Sequence, residues 1–197
     1  VLRFALEKDN IRLEAGFEVE KVKKTAEGFR IDGTGGSILC DKLIIACGGL
    51  AGSKLGGSMS GYKLLRSFGH RCTKLRPTLV QLKSDWHGSA ALKGVRANCR
   101  AEILKDGEIF STSAGELQFT EYGLSGPVIF EISRDVCSTK GDWCCRLDFL
   151  PDRDEQWLQN QLLTRKKTRL KAEDLLTGIL HNRLGRVITQ SVGISGY

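Results

Sequence analysis

The sequence predicts an α+β fold in three successive parts, and three patterns predict it. Apolar and polar residues alternate through much of residues 10–150, the period of half-buried strands. One run, Leu43-Ile44-Ile45-Ala46-Cys47, is continuously apolar and leads into a glycine-rich stretch. Beyond residue 151 the apolar spacing becomes helical. The chain has 197 residues, 41% of them hydrophobic and 27% charged, enough for one full domain or two small ones. That composition excludes disorder, collagen or coiled coil as a description of the whole chain. No apolar run reaches the roughly 18–20 residues of a membrane helix.

The elements follow in order. Leu2 to Lys8 reads as a helix. Ile11–Glu14 and Phe17–Val22 alternate as strands. Phe29–Asp32 follows a Glu27-Gly28 turn, and Gly33-Thr34-Gly35-Gly36 turns into Ser37–Cys40. Leu43–Cys47 then reads as a strand buried on both faces, the central parallel strand to which this meander leads. From Gly48 to Gly61 glycines dominate, and Tyr62, Leu64, Leu65 and Phe68 fall at helical spacing with Gly69 as the stop. A glycine loop between a strand and a helix lets a ligand approach the backbone closely, although such a loop can also simply turn the chain.

Residues 76–150 predict an antiparallel, barrel-like module. Leu79–Leu82, Val95–Leu104, Ile109-Phe110, Glu116–Thr120 and Trp143–Leu150 read as strands. Lys105-Asp106-Gly107-Glu108 is a hairpin turn. Glu121–Pro127 reads as a turn, and Val128–Ser133 as either a short helix or a strand. In the last part Asp152 with Glu155 suggests a capping box. Trp157, Leu158, Gln161 and Leu162 mark one helix, Leu170 to Leu180 a second, and Leu184, Val187 and Ile188 a third.

The net charge is +7, with a local cluster at Arg165-Lys166-Lys167, Arg169 and Lys171. Such a cluster can bind a phosphate backbone, which makes a nucleic-acid-binding module the rival functional class. Only Trp157 stands near it as a stacking aromatic, so a solvated helix face is the preferred reading and nucleic acid is not the expected partner. A purely structural interaction module is the third reading. The seven cysteines contain no C-x-x-C, and the three histidines stand far from any paired cysteines, so no metal is expected. Reduced, mostly buried thiols point to a cytoplasmic protein. No acid–base pair suggests catalytic residues.

Several motifs occur together in order. They are Leu43–Leu50 with its Ala46-Cys47-Gly48-Gly49, Leu55-Gly56-Gly57-Ser58 up to Gly61-Tyr62, and Phe68-Gly69-His70. Arg76-Pro77-Thr78-Leu79-Val80, Gly115–Thr120 and Gly123-Leu124-Ser125-Gly126-Pro127 come after them. In this arrangement the chain resembles the YhiN/BaiN-like (HI0933-like) FAD-dependent oxidoreductases, over nearly its whole length. The resemblance implies a partial FAD-binding, Rossmann-type segment over residues 1–75. It implies a β-barrel-like insert over 76–150 and a small helical subdomain over 151–197. The G-x-G-x-x-G fingerprint of that family is not in this sequence, so the chain is expected to be an internal fragment that does not hold FAD tightly or act alone. The cofactor-binding positions implied are Val19, Ala46, Cys47, Gly48, Gly49, Gly57, Ser58 and Gly61. Cys47 stands where the family carries Thr, which removes a hydroxyl. Gly123, Ser125, Gly126 and Pro127 are expected at a substrate pocket, with a small molecule and NAD(P)H as further partners.

Overall fold

The computed structural model describes residues 2–168 and 170–194; Arg169 of the basic cluster and the closing Gly196-Tyr197 lie outside the described residues. Mixed helix and strand make it an α+β protein. The chain divides into two compact units, residues 1–75 and 76–197.

The first unit begins with a short helix, α1 (Leu2–Ala5), briefer than the run to Lys8 that the sequence predicts. A three-stranded antiparallel meander follows: β1 (Val19–Thr25), β2 (Gly28–Gly33) and β3 (Gly36–Cys40), in the order β1-β2-β3. Both of its turns are tight, with Thr25 opposite Gly28 and Gly33 opposite Gly36. Residues 11–18 are not strand. Thr34 captures them instead: its hydroxyl accepts the Glu18 N–H at 2.8 Å and donates to the Gly16 carbonyl at 3.2 Å. The helix α2 (Ser60–Ser67) packs on the meander through an edge-to-face pair, Phe29 with Phe68, at 6.0 Å between ring centres.

Leu43–Cys47 corrects the sequence reading. The segment belongs to no sheet, and Ile44 is 89% exposed. A parallel strand needs a neighbour to receive its N–H and C=O groups, and among the described residues none lies beside it.

The second unit is a curled, half-barrel antiparallel sheet covered by helices. Its strands are β4 (Leu82–Lys83), β5 (Arg96–Lys105), β6 (Glu108–Thr120), β7 (Gly123–Ser125) and β8 (Trp143–Asp148). They lie in the order β4-β7-β6-β5-β8. The β5–β6 hairpin closes on Asp106-Gly107, both at positive φ (52° and 89°), the backbone twist that two-residue hairpin turns favour. Four expectations change. Glu116–Thr120 is the end of the long β6 and not a separate strand. Leu79–Leu82 shrinks to β4, because Leu79 is left-handed (φ 54°) and the Val80 N–H is taken by the buried Ser133 hydroxyl at 3.3 Å. Gly123–Pro127 is not a turn: Gly123–Ser125 forms β7, inserted between β4 and β6, and Pro127 opens the helix α4 (Pro127–Ser138). The open choice at Val128–Ser133 is thereby settled as helix.

The fourth change concerns the helical part, which comprises α3 (Gly88–Ala91), α5 (Glu155–Lys166) and α6 (Asn182–Ser191). The cap of α5 is Asp154 and not Asp152; its carboxylate accepts the Trp157 N–H at 2.7 Å. The helix expected over Leu170 to Leu180 is only a 3-10 turn, Ala172–Asp174. The stretch after it is held open by Arg165, which donates to the carbonyls of Leu175 (3.1 Å) and Thr177 (2.6 Å).

The core sits on the inner face of the sheet. Cys99, Ala101 and Ile103 of β5 meet Leu117 and Phe119 of β6, with Val128, Ile129 and Ile132 of α4 and Leu184 of α6. The alternate residues of β5 face outward in a charged ladder. Arg100 pairs with Asp148 at 2.8 Å, and Arg146 with Glu102 at 3.1 Å. The period-2 pattern of the sequence thus maps onto one buried and one wet face.

Candidate functional site

Two places bring chemistry-bearing residues together, one in each unit. In the first, the loop between Ala46 and Tyr62 folds back on itself. A Cβ at Gly57 would stand 2.4 Å from the Ala51 carbonyl oxygen, and one at Gly61 would stand 2.6 Å from Cys47 Sγ. These glycines are therefore required by the close approach of the loop to itself. The same packing gathers Cys47, Gly49, Gly57 and Gly61. The Ser58 hydroxyl lies 2.9 Å from that of Ser60, which points at Cys47 Sγ from 4.0 Å. Ala46, Cys47, Gly48 and Ser58 are exposed, and the space beside Gly48 is open. The surface offered is backbone with two hydroxyls, a donor set that fits a ligand rich in acceptor oxygens, as a flavin dinucleotide is. Val19 is in a separate element. It starts β1, pairs with Gly33, and is 39% exposed on a strand whose other edge carries no partner strand among the described residues.

In the second unit a broad groove opens beside the sheet. Trp86, Leu124, Trp143, Phe149 and Ile188 line it, with Lys83 and Asp85 as its charged groups. Its aromatic rings are held by neighbours. Trp86 and Phe149 both pack on the fully buried Phe119, at 6.1 and 6.2 Å between ring centres. Trp143 meets Phe110 edge-to-face at 5.5 Å and lies under the Lys105 ammonium. Of the four residues expected at a pocket, none lines this groove. Gly123, Ser125 and Gly126 are buried, and Pro127 is exposed at the start of α4. A Cβ at Gly123 would meet the Leu82 carbonyl oxygen at 2.2 Å, so its glycine lets β4 and β7 approach. The groove residue on that strand is their neighbour Leu124.

The groove aromatics are not legible as a site in the sequence. Trp86 stands far along the chain from Trp143 and Phe149, which lie at the two ends of β8, and β4 and β8 are the two ends of the sheet order, so only the curl of the sheet lets them line one groove. The groove also contains Cys145, whose thiol is pushed up to about 12 by burial, reinforced by Cys99 and Cys144. Cys99 is pushed up to about 11, again chiefly by burial and then by Asp148. Both stay protonated near neutrality, so neither is a nucleophile. Among the described residues no group of three His, Cys, Asp or Glu side chains could hold a metal ion. No helix there is long and apolar enough to cross a membrane.

Residues 76–196 match the family model described as the HI0933-like protein barrel and H2TH domain. The chain is 35% identical over 191 residues to a 3-dehydro-bile acid delta(4,6)-reductase of Clostridium scindens, covering 93% of this chain and 46% of that protein. It is 36% identical over 130 residues to a ribosomal RNA dihydrouridine synthase of Escherichia coli, covering 64% of this chain and 32% of that protein. The chain thus spans less than half the length of either relative. With the family model matching well over half of its residues, and the reductase aligned along nearly all of them, the chain belongs to the HI0933-like family.

Proposed function

We propose that the protein containing this chain reduces a carbon–carbon double bond activated by a neighbouring carbonyl, using FAD. The observation that carries this is the 35% identity with a reductase across 93% of the chain. The second relative is named for a dihydro product, which also arises when two hydrogens add across a ring double bond. The chemistry that bound FAD supplies is two-electron transfer, and NAD(P)H is the proposed source of the hydride.

The chain's own residues would then orient and shield. Ala46, Cys47, Gly48 and Gly49 would pass beneath the cofactor with little side chain in the way. Gly57, Ser58 and Gly61 would complete that lining, and the free edge of β1 at Val19 would meet the adenine. Gly123, Ser125, Gly126 and Pro127 would fix β7, which carries Leu124 into the groove. The groove would take the flat, apolar body of the substrate beside Trp86, Trp143 and Phe149.

The test is made on the full-length protein. It is expected to purify yellow with about one FAD per chain. NADH or NADPH should bleach it without oxygen, and a conjugated cyclic enone should restore the colour. A colourless protein that cannot be reconstituted with FAD overturns the reading. The 197-residue chain alone is expected to retain little flavin.

A further inference from the structure

The two ends of the sheet in the second unit are finished differently. At one end β4 is only two residues long, a blunted edge. At the other, β8 runs for six residues, and its pairing with β5 continues from Trp143 to Asp148 without a register shift. It contains no proline and no left-handed residue. Its outer edge carries no partner strand among the described residues. A straight edge of this kind is a template for another strand, through the N–H and C=O groups that point away from β5. The inward side chains Trp143, Cys145 and Leu147 are all uncharged and pack against the core. The outward ones are Cys144, Arg146 and Asp148, the last two neutralised across the ladder by Glu102 and Arg100.

We infer that β8 pairs antiparallel with β8 of a second copy of this chain, centred on Leu147. A two-fold contact must complement itself, so each register can be tested on both faces. Inward side chains meet inward ones only when the pairing is centred on a residue. Centred on Cys144, Leu147 falls opposite Gly141, outside the strand. Centred on Cys145, Asp148 meets Asp142 and Arg146 meets Cys144. Centred on Arg146, that residue meets its own copy. Centred on Leu147, Arg146 meets Asp148 twice over, and on the inner face Leu147 meets its own copy while Cys145 meets Phe149. The alternation of charge already present in the ladder then continues across the contact. Arg100, Asp148 and the second copy's Arg146 form one row, and Glu102, Arg146 and the second copy's Asp148 the other. Charge complementarity thus selects both the partner and the register. Because β8 is one flank of the groove, the added strand stands at the groove's mouth. The inference goes beyond the reductase reading and does not rest on it.

The experiment is sedimentation of the full-length protein over about 1 to 200 µM. A strand pair is a small interface, so association should grow with concentration, with a dissociation constant of roughly 10–100 µM. Arg146→Glu sets two acids opposite each other across the contact, and Asp148→Arg sets two bases. Either variant alone should weaken association tenfold or more. Mixed in equal amounts, the two variants should associate again, because opposite charges then meet at both positions. Each loses only one surface ion pair of its own ladder, so the fold should survive. Hydrogen exchange of the β8 backbone amides in the unaltered protein needs no variant, and it should slow as concentration rises. A protein that stays monomeric, single variants that associate as before, a mixture no tighter than its components, or exchange independent of concentration overturns the inference. A monomer whose β8 amides are already protected overturns it in favour of a covering strand from the same polypeptide.

Discussion

Residues 1–75 and residues 76–197 each build an antiparallel sheet from tight turns, yet they end with very different interiors. Among the described residues the first unit buries a single hydrophobic side chain, Val22, while the second buries fourteen. Both sheets alternate in sequence, so alternation is not the difference. The second sheet has a layer to alternate against: α4 lies across β5 and β6, and α6 adds Leu184. The first meander has one ring pair, Phe29 with Phe68, for that purpose. Tight turns suffice to make a sheet, but a core needs a second layer.

The largest expected effect tests this contrast directly. Phe119→Ala removes a fully buried ring and should cost about 3–5 kcal/mol. Ile44→Ala, at a residue 89% exposed, should stay within about 0.5 kcal/mol. Urea titration followed by tryptophan fluorescence reads the second unit, which holds all three tryptophans, and far-UV circular dichroism reads the first. Equal costs would break the comparison. Glycines sharpen it at the next level. Gly126 is at φ 99°, and a Cβ there would stand 2.6 Å from the Glu116 carbonyl oxygen. Gly126→Ala should cost about 2–4 kcal/mol from strain and overpacking together. Gly48 is also left-handed but faces open space, so Gly48→Ala should cost only about 1 kcal/mol.

The last effect is a pH dependence, confined to alkaline pH. Cys99 and Cys145 titrate near 11 and 12 in the folded second unit, against about 9 when unfolded. Below pH 9 they are protonated in both states and contribute no slope. Between pH 9 and 11 the unfolded chain loses these protons while the folded one keeps them, so stability falls as pH rises. Thermal melts should show this alkaline decline, and Cys99→Ala/Cys145→Ala should flatten it. Iodoacetamide at pH 8 should label the exposed Cys47 and Cys144 first.

What the sequence makes legible is mostly local. Asp106-Gly107 announces its hairpin because two positive φ values demand those residue types, and alternation along 96–104 assigns the faces of β5 correctly. Leu43–Cys47 misleads because a run of apolar residues reports burial, while a strand also requires a partner that local pattern cannot supply. Asp152 and Asp154 are equally good caps on paper, and only the position of Trp157 N–H decides between them. Leu175–Leu180 has helical spacing, but a long-range contact from Arg165 keeps its carbonyls turned outward. The glycine loop is legible as a loop, and its close approach of Gly61 to Cys47 follows from the glycines. The groove is not, because Trp86 meets Trp143 and Phe149 only through the curl that brings the two ends of the sheet around one hollow.

The sheet order of the second unit also has a temporal consequence. Its middle strands meet through the shortest connections: β5 joins β6 across two residues, and β6 joins β7 across Glu121-Tyr122. The outer strands must search much further, since Leu82 has to find Leu124 and Trp143 has to find Lys105. Loop closure penalises distant pairings before any contact rewards them. Assembly is therefore expected to spread outward from the Asp106-Gly107 turn, with the groove's two flanks, which carry Lys83 and Trp143, the last part of the sheet to acquire its shape.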